Sequence, residues 1–331
     1  MDIALRTRRA WSRCALGVFL ACAAAGICAQ EARWPVRPVR FIVPFPPGGS
    51  VDPLARLVGA KLAAATGQNV VVDNRPGGSG SIGAGIAAKS PPDGYTYLFV
   101  FDTHAVNPTL IPNLPFDTVR DFAPVMLVGT APMALVTHPA KPYRSFGDAV
   151  RAAKAKPDAV TYGSIGSGSL GHLTMKLLEQ AGGFRMVHVP YKGGGPMIVD
   201  ASAGHVELGI ASVAVLATHV RGGRLRAIAV TGDKRTHAMP EVPALAEQGF
   251  PGFSALAWWG IFAPAGVPQP VIARFHAELT RIFGLPEVRA QLADTLGMDL
   301  VVSSPAALQK FLVAEIERWG KVVRETGIKP D

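Results

Sequence analysis

Gly78-Ser79-Gly80-Ser81-Ile82-Gly83 recurs further along the chain as Gly166-Ser167-Gly168-Ser169-Leu170-Gly171. Each copy follows a strand-like apolar run, Val70 to Asp73 and Val160 to Gly163, and leads into a segment with helical spacing. A third turn, Pro46-Pro47-Gly48-Gly49-Ser50, lies between a strand at Val39–Phe45 and a helix from Pro53 onward. Glycine lets the backbone turn tightly and brings N–H groups close to a ligand. The helix that follows adds unpaired N–H groups and the positive end of its dipole. Three such turns predict a chain that holds a small anion with its backbone.

Outward from these turns, short Val/Ile-rich runs alternate with helical stretches, the pattern of an α/β fold with parallel strands. Strands are predicted at Val39–Phe45, Asn69–Asp73, Thr96–Phe101, Ala159–Gly163, Met186–Pro190, Glu207–Ala211 and Arg226–Thr231. Helices are predicted at Pro53–Thr66, Ser145–Lys154, Leu170–Ala181 and Met197–Ala203. Pro53 suits a first helical turn, capped by Ser50 or Asp52. After Gly232 prolines punctuate an apolar run, Ala255–Phe262, and the remainder reads as helices at Pro270–Phe283, Glu287–Leu296 and Pro305–Glu325. A second apolar run, Val125–Val136, is long enough to cross between two lobes. The pattern predicts residues 30–130 and 254–331 in a first lobe and 131–253 in a second.

Residues 1–29 read as a cleaved secretory leader. Arg6, Arg8, Arg9 and Arg13 precede an apolar stretch, Ala15–Ile27, and Ala29 closes a small-residue cleavage site. Cys14, Cys22 and Cys28, the chain's three cysteines, all lie there, so the mature chain has no thiol, disulfide or thiolate metal site. Cutting 29 of 331 residues leaves 302, enough for two domains. The leader carries four Arg and one Asp, so its loss lowers the formal charge from +9 to +6. The remaining basic residues are scattered, which gives nucleic-acid binding little support. A mildly positive field suits an acidic solute, and equally it aids solubility.

Two other chemistries fit the residues less well. The Gly-x-Gly-x-x-Gly spacing, with Asp102 about twenty residues beyond the first copy, matches a dinucleotide fingerprint. The second copy has Tyr191 at that distance, and a secreted chain meets little soluble nicotinamide cofactor, so no cofactor is expected. A serine hydrolase is disfavoured because no Gly-x-Ser-x-Gly elbow occurs. The eight histidines (104, 138, 172, 188, 205, 219, 237 and 276) show no metal-ligand spacing, so no metal is expected. His172 follows the second Gly/Ser turn, where it either donates to an anion or is a polar surface group. Lys192, the only Lys inside a glycine turn, either faces the ligand or is solvated. Trp258 and Trp259 read as core and hinge residues, and Trp319 as buried under the last helix.

The ordered blocks Trp34-Pro35, Pro44-Phe45-Pro46-Pro47-Gly48-Gly49, Val71-Val72-Asp73-Asn74-Arg75-Pro76-Gly77-Gly78, Pro92-Asp93-Gly94-Tyr95, Asn107-Pro108, Tyr162-Gly163-Ser164, Val189-Pro190-Tyr191-Lys192-Gly193, Trp259-Gly260 and Ala263-Pro264-Ala265-Gly266 cover nearly the whole mature chain. In them the sequence resembles the substrate-binding receptors of tripartite tricarboxylate transporters, the Bug-type periplasmic solute-binding proteins. The resemblance implies a non-enzymatic receptor with a two-lobed, type II periplasmic-binding-protein fold, each lobe a mostly parallel sheet flanked by helices. A small organic carboxylate is then expected in the cleft, held by loop N–H groups, Ser side chains and water. Carried onto this chain, the first-lobe contacts are Pro47, Gly48, Gly49, Ser50, Asp52, Ser79, Thr103 and His104. Those of the second lobe are Ser164, Gly166, Ser167, Gly168, Ser169, His172, Lys192 and Gly193. Many relatives carry an acid after the seventh strand, where amino-acid binders meet the ligand's ammonium. Here the stretch is Ile210-Ala211-Ser212-Val213, which favours an organic acid without an amine. The expected partners are the membrane components of a transporter, or alternatively a sensor protein, with the receptor itself a periplasmic monomer.

Overall fold

The computed structural model describes residues 34–330, so the leader expected at 1–29 lies outside the described residues. Eight strands form one continuous path. It is built from β1 (Val39–Val43), β2 (Val70–Asn74), β3 (Thr96–Val100), β4 (Phe122–Thr137), β5 (Thr161–Ser164), β6 (Val187–Pro190), β7 (Leu208–Ser212) and β9 (Leu256–Pro264). Their order is β2-β1-β3-β9-β4-β7-β5-β6, with β8 (Arg226–Val230) and β10 (Asp299–Leu300) also paired to β4. β1 is parallel to β2 and β3, and β5 is parallel to β6 and β7. Two parallel half-sheets therefore flank the long strands β4 and β9.

Those two strands depart from the parallel expectation. β9 runs antiparallel to β3 and β4, and β4 runs antiparallel to β7 and β8. The apolar runs at Val125–Val136 and Ala255–Phe262 are thus strands that link the half-sheets. β4 pairs with β9 from Phe122 to Pro132, then with β7 and β8 from Met133 to Thr137. Fully buried Thr231 pins this change of partner. Its hydroxyl accepts from Met133 N–H at 2.9 Å and donates to the Ala255 carbonyl at 2.5 Å.

The helices are α1 (Val51–Thr66), α2 (Ser81–Ala88), α3 (Thr103–Leu110), α4 (Phe146–Ala155), α5 (Leu170–Gly182), α6 (Gly194–Ala203), α7 (Val213–Arg221), α8 (Gln269–Gly284), α9 (Pro286–Leu296) and α10 (Pro305–Thr326). α3 and α7 were not anticipated. α3 has only eight residues and contains Pro108, and α7 follows β7 directly with only Ser212 between apolar segments. Buried aromatic rings of β1, β3 and α8 fill the first half, with Tyr97 and Phe275 centroids 3.8 Å apart. α10 packs on α3, where Gly320 admits Thr109: a Cβ there would lie 2.7 Å from the threonine Oγ1. Trp319 is fully buried on this helix, as expected, and its indole donates to Glu315 at 2.7 Å.

Candidate functional site

The glycine turns all lie where strands end. Pro46–Ser50 joins β1 to α1, Gly77–Gly80 joins β2 to α2, and Ile165–Ser169 joins β5 to α5. Carboxyl ends of parallel strands, next to a change of strand order, form the usual ligand crevice of open α/β sheets.

In the first turn the expected cap is absent: neither Ser50 nor Asp52 caps α1. The Ser50 hydroxyl instead accepts from the Trp259 indole at 3.2 Å. Buried Asp52 takes Arg56 Nε and Asn74 Nδ2, each at 3.0 Å, and its Oδ2 is 3.5 Å from Gly48 N–H. Burial opposes ionisation of Asp52, but the hydrogen bonds from Arg56 and Asn74 outweigh it and hold its pKa below the usual value. Asp52 therefore braces the turn. Gly49 and Ser50 N–H groups find no acceptor among the described residues and stand at the N-terminus of α1. Gly48, at φ +86°, has open space around it.

Ser79, Thr103 and His104 come together around a small recess, with Asn107 between them. Ser79 is held in the left-handed region at φ 52°, uncommon outside glycine, and its carbonyl accepts from Asn107 Nδ2 at 3.1 Å. The His104 ring does not face solvent. It packs between Phe122 and Phe262, each at 5.3 Å, and burial lowers its pKa to about 3. His104 is thus a neutral core imidazole, and Thr103 and Ser79 are the polar groups of this recess.

The second-lobe turn closes on itself more than its glycines suggest. Gly166 N–H reaches Ser164 Oγ at 3.3 Å, Gly168 N–H reaches His172 Nδ1 at 3.2 Å, and Ser169 N–H reaches the Gly166 carbonyl at 3.2 Å. Positive φ at Gly166 (136°) and Gly168 (71°) folds the loop back to make these bonds. The Gly166, Gly168 and Ser169 N–H groups expected for an anion there are used internally, and the buried Ser164 and Ser169 hydroxyls also bond within the turn. His172 is neither a surface group nor a simple donor: it is buried, with its ring 3.7 Å from that of His188. Lys192 is exposed on the adjoining turn, where Tyr191 N–H bonds the Ser164 carbonyl at 3.0 Å and Gly193 N–H bonds the Tyr191 carbonyl at 2.9 Å. His188 was not singled out from the sequence. Its only signal is its register opposite Tyr162 across β5 and β6, which spacing along one chain does not reveal. The two sets of turns meet where Leu110 of α3 packs over Gly168.

Asp102, the acid that matched the dinucleotide fingerprint, is fully buried. Apart from the poorly aligned N–H groups of Thr103 and Asp102 itself, its oxygens have no partner among the described residues, so the acid has no route to a ribose. Burial, reinforced by Glu315, raises its pKa well above the ordinary value. The folded protein thus holds a proton that the unfolded chain releases near pH 4. Asp102 accordingly costs no stability in acid and progressively more as pH rises from there toward its folded pKa. Asp102→Asn is expected to stabilise the protein at pH 7.5 by about 1–3 kcal/mol, several degrees in Tm. The gain should shrink at pH 4. Scanning calorimetry at the two pH values checks this, and a destabilised variant at pH 7.5 would show that the carboxylate is ionised and needed.

The third glycine of each repeat has a packing role. A Cβ on Gly83 would lie 2.7 Å from Pro44 Cβ and 2.8 Å from both the Arg75 carbonyl oxygen and Pro44 Cα. A Cβ on Gly171 would lie 3.0 Å from Ile210 Cγ2. Each lets a helix sit tightly against the sheet, which accounts for the repeat without a nucleotide.

Comparison with known proteins agrees with this geometry. A family model described as tripartite tricarboxylate transporter family receptor matches residues 54–328. The chain is 36% identical over 316 residues to protein BugT of Bordetella pertussis, covering 95% of this chain and 97% of that one. A solved R. palustris protein with adipate superposes with a TM-score of 0.84 at 34% identity, covering 90% of this chain and 100% of that one. MatC from Rhodopseudomonas palustris with bound malate superposes with a TM-score of 0.79 at 30% identity, covering 88% and 100%.

Proposed function

Because the chain belongs to the tripartite tricarboxylate transporter receptor family, we propose that it is a periplasmic receptor that captures a small organic carboxylate between its lobes. The observation that carries this reading is the placement of the Gly/Ser turns at strand ends on both sides of β4 and β9. In this reading the ligand takes N–H groups from Gly49 and Ser50 at the start of α1 and hydroxyls from Ser79 and Thr103, while Ser164 and Ser169 hold the second-lobe turn in shape from within. Asp52 shapes the first turn, and exposed Lys192 contributes a charge at the rim. Within the described residues, this reading assigns 34–130 and 254–330 to the first lobe and 131–253 to the second, with the boundaries on β4 and just before β9.

Several observations support an acid without an amine. Relatives were solved with adipate and with malate. Ser212, where an acid would meet an ammonium, is buried at the start of α7, and Ala211 and Val213 beside it are apolar. The receptor then delivers its ligand to the membrane components of a tripartite transporter, with a sensor protein as the alternative partner.

A thermal-shift panel of dicarboxylates, tricarboxylates and aromatic acids tests this. A ligand that binds only the folded state raises stability, by about 2.7 kcal/mol at a hundredfold excess over Kd. At least one acid should give a clear rise in Tm, confirmed by titration calorimetry. Micromolar binding of a nicotinamide dinucleotide with no response to any acid would overturn the reading.

A further inference from the structure

His188 lies one hydrogen bond behind the second-lobe turn. From β6 its Nε2 sits 2.7 Å from Ser164 Oγ, the hydroxyl at the end of β5. Ser164 is fully buried, and the rest of its hydrogen bonds are local: it donates to the Gly166 carbonyl at 3.0 Å, while Gly166 N–H at 3.3 Å and Ser169 Oγ at 3.4 Å approach its oxygen. A hydroxyl has one proton to give. With that proton on the Gly166 carbonyl, Ser164 accepts from His188, which places a proton on His188 Nε2.

The neighbouring imidazole is constrained the other way. His172 Nδ1 accepts the Gly168 N–H at 3.2 Å, so that nitrogen carries no proton while the turn keeps its shape. Charging His172 would break this bond and open the turn. Two imidazolium ions 3.7 Å apart would also repel. The pair therefore accepts one extra proton, and the hydrogen bonds direct it to His188. There the His172 face, tilted by 19°, and the Tyr162 ring, 5.0 Å away and tilted by 30°, both suit a cation.

Resting on the carboxylate-receptor reading, we propose that His188 is a positioning residue of the binding site. It becomes the charged member of the His172–His188 pair, fixes Ser164 as an acceptor from behind, and makes affinity for anionic carboxylates rise as pH falls through the histidine range. Among the described residues, the titratable rings that lie against it are Tyr162 on β5 and His172 on α5, and α5 also carries Lys176 and Glu179. Lys176 and Glu179 pair with each other at 2.8 Å, and Glu179 also accepts Met186 N–H at 2.9 Å, so this pair is already neutralised. Within β6 the neighbours of His188 are Val187, Val189 and Pro190, none of which titrates.

Two measurements test the proposal separately. The first needs no ligand: nitrogen-15 NMR of the histidine rings in the intact mature protein, titrated from pH 8 to pH 5. His188 should take up the proton, with hydrogen on Nε2, while His172 stays neutral with Nδ1 bare. Protonation of His172 first, or of neither ring, overturns the assignment. The second uses whichever panel acid gives the largest thermal shift, titrated calorimetrically at pH 8 and pH 6. Affinity should rise about tenfold in the wild type, the scale of one added charge near a partly buried anion. It should rise less than twofold in His188→Gln, which keeps a neutral donor for Ser164. An unchanged pH response in the glutamine variant, with the fold intact by circular dichroism, overturns the positioning role. If no acid binds, the carboxylate reading fails and so does the affinity part of the proposal, whereas the NMR titration still decides the histidine assignment.

Discussion

Gly168→Ala is expected to weaken carboxylate binding at least about tenfold. Gly168 sits at φ +71°, where an L-residue is strained by roughly 1–2 kcal/mol. A Cβ there would also lie 2.1 Å from Leu110 Cδ2, 3.0 Å from Cδ1 and 3.1 Å from Cγ. Leu110 is itself buried at the end of α3, so it has little room to withdraw. The added methyl group must therefore drive the second-lobe turn away from α3 and spread the site that both elements frame. Titration calorimetry on Gly168→Ala and on Gly168→Ala/Leu110→Ala checks this, with partial recovery expected in the double variant. Gly183→Ala serves as a control, since it imposes left-handed strain at φ +60° with nothing within 4 Å. Its affinity should match the wild type. Full affinity in Gly168→Ala would show that the contact between α3 and the turn plays no part in ligand capture.

The largest loss of stability is expected at Gly83. Its Cβ would meet backbone atoms of Pro44 and Arg75 at 2.8 Å, and backbone cannot rotate aside as a side-chain terminus can. Gly83→Ala should cost about 2–4 kcal/mol and lower Tm accordingly. At Gly171 the nearest atom is a side-chain methyl of Ile210, at 3.0 Å, and the same substitution should cost clearly less. Denaturant melts of the two variants give the comparison directly, and equal losses would contradict the backbone-contact explanation.

The sequence carries its periodic features plainly. Val39, Phe41 and Val43 alternate along β1, and Thr96 to Val100 form the near-continuous buried run that a strand covered on both faces requires. The helix starts at Pro270 and Pro305 came within a residue because proline fits a first turn. What stayed hidden depends on contacts between distant residues. Nothing near Ser50 says that Trp259, more than two hundred residues away, will bond it in place of a helix cap. His104 reads as a polar residue beside a turn, yet three phenylalanines brought by other elements enclose it. The glycines of Gly166–Gly168 signal a tight turn correctly, but whether their N–H groups face outward or inward depends on His172 and Ser164.

The hydrogen bond between Trp259 and Ser50 also makes the protein its own optical probe. Among the described tryptophans, Trp34 donates to the Gly94 carbonyl and Trp319 to Glu315, and the Trp258 indole nitrogen is buried without a partner. Trp259 alone donates to a residue of the cleft turns. On the proposed reading, an anion that draws on Ser50 alters the surroundings of that one indole. Its emission, isolated in a variant with Trp34, Trp258 and Trp319 all replaced by phenylalanine, then reports occupancy without any label, at protein concentrations far below those calorimetry needs.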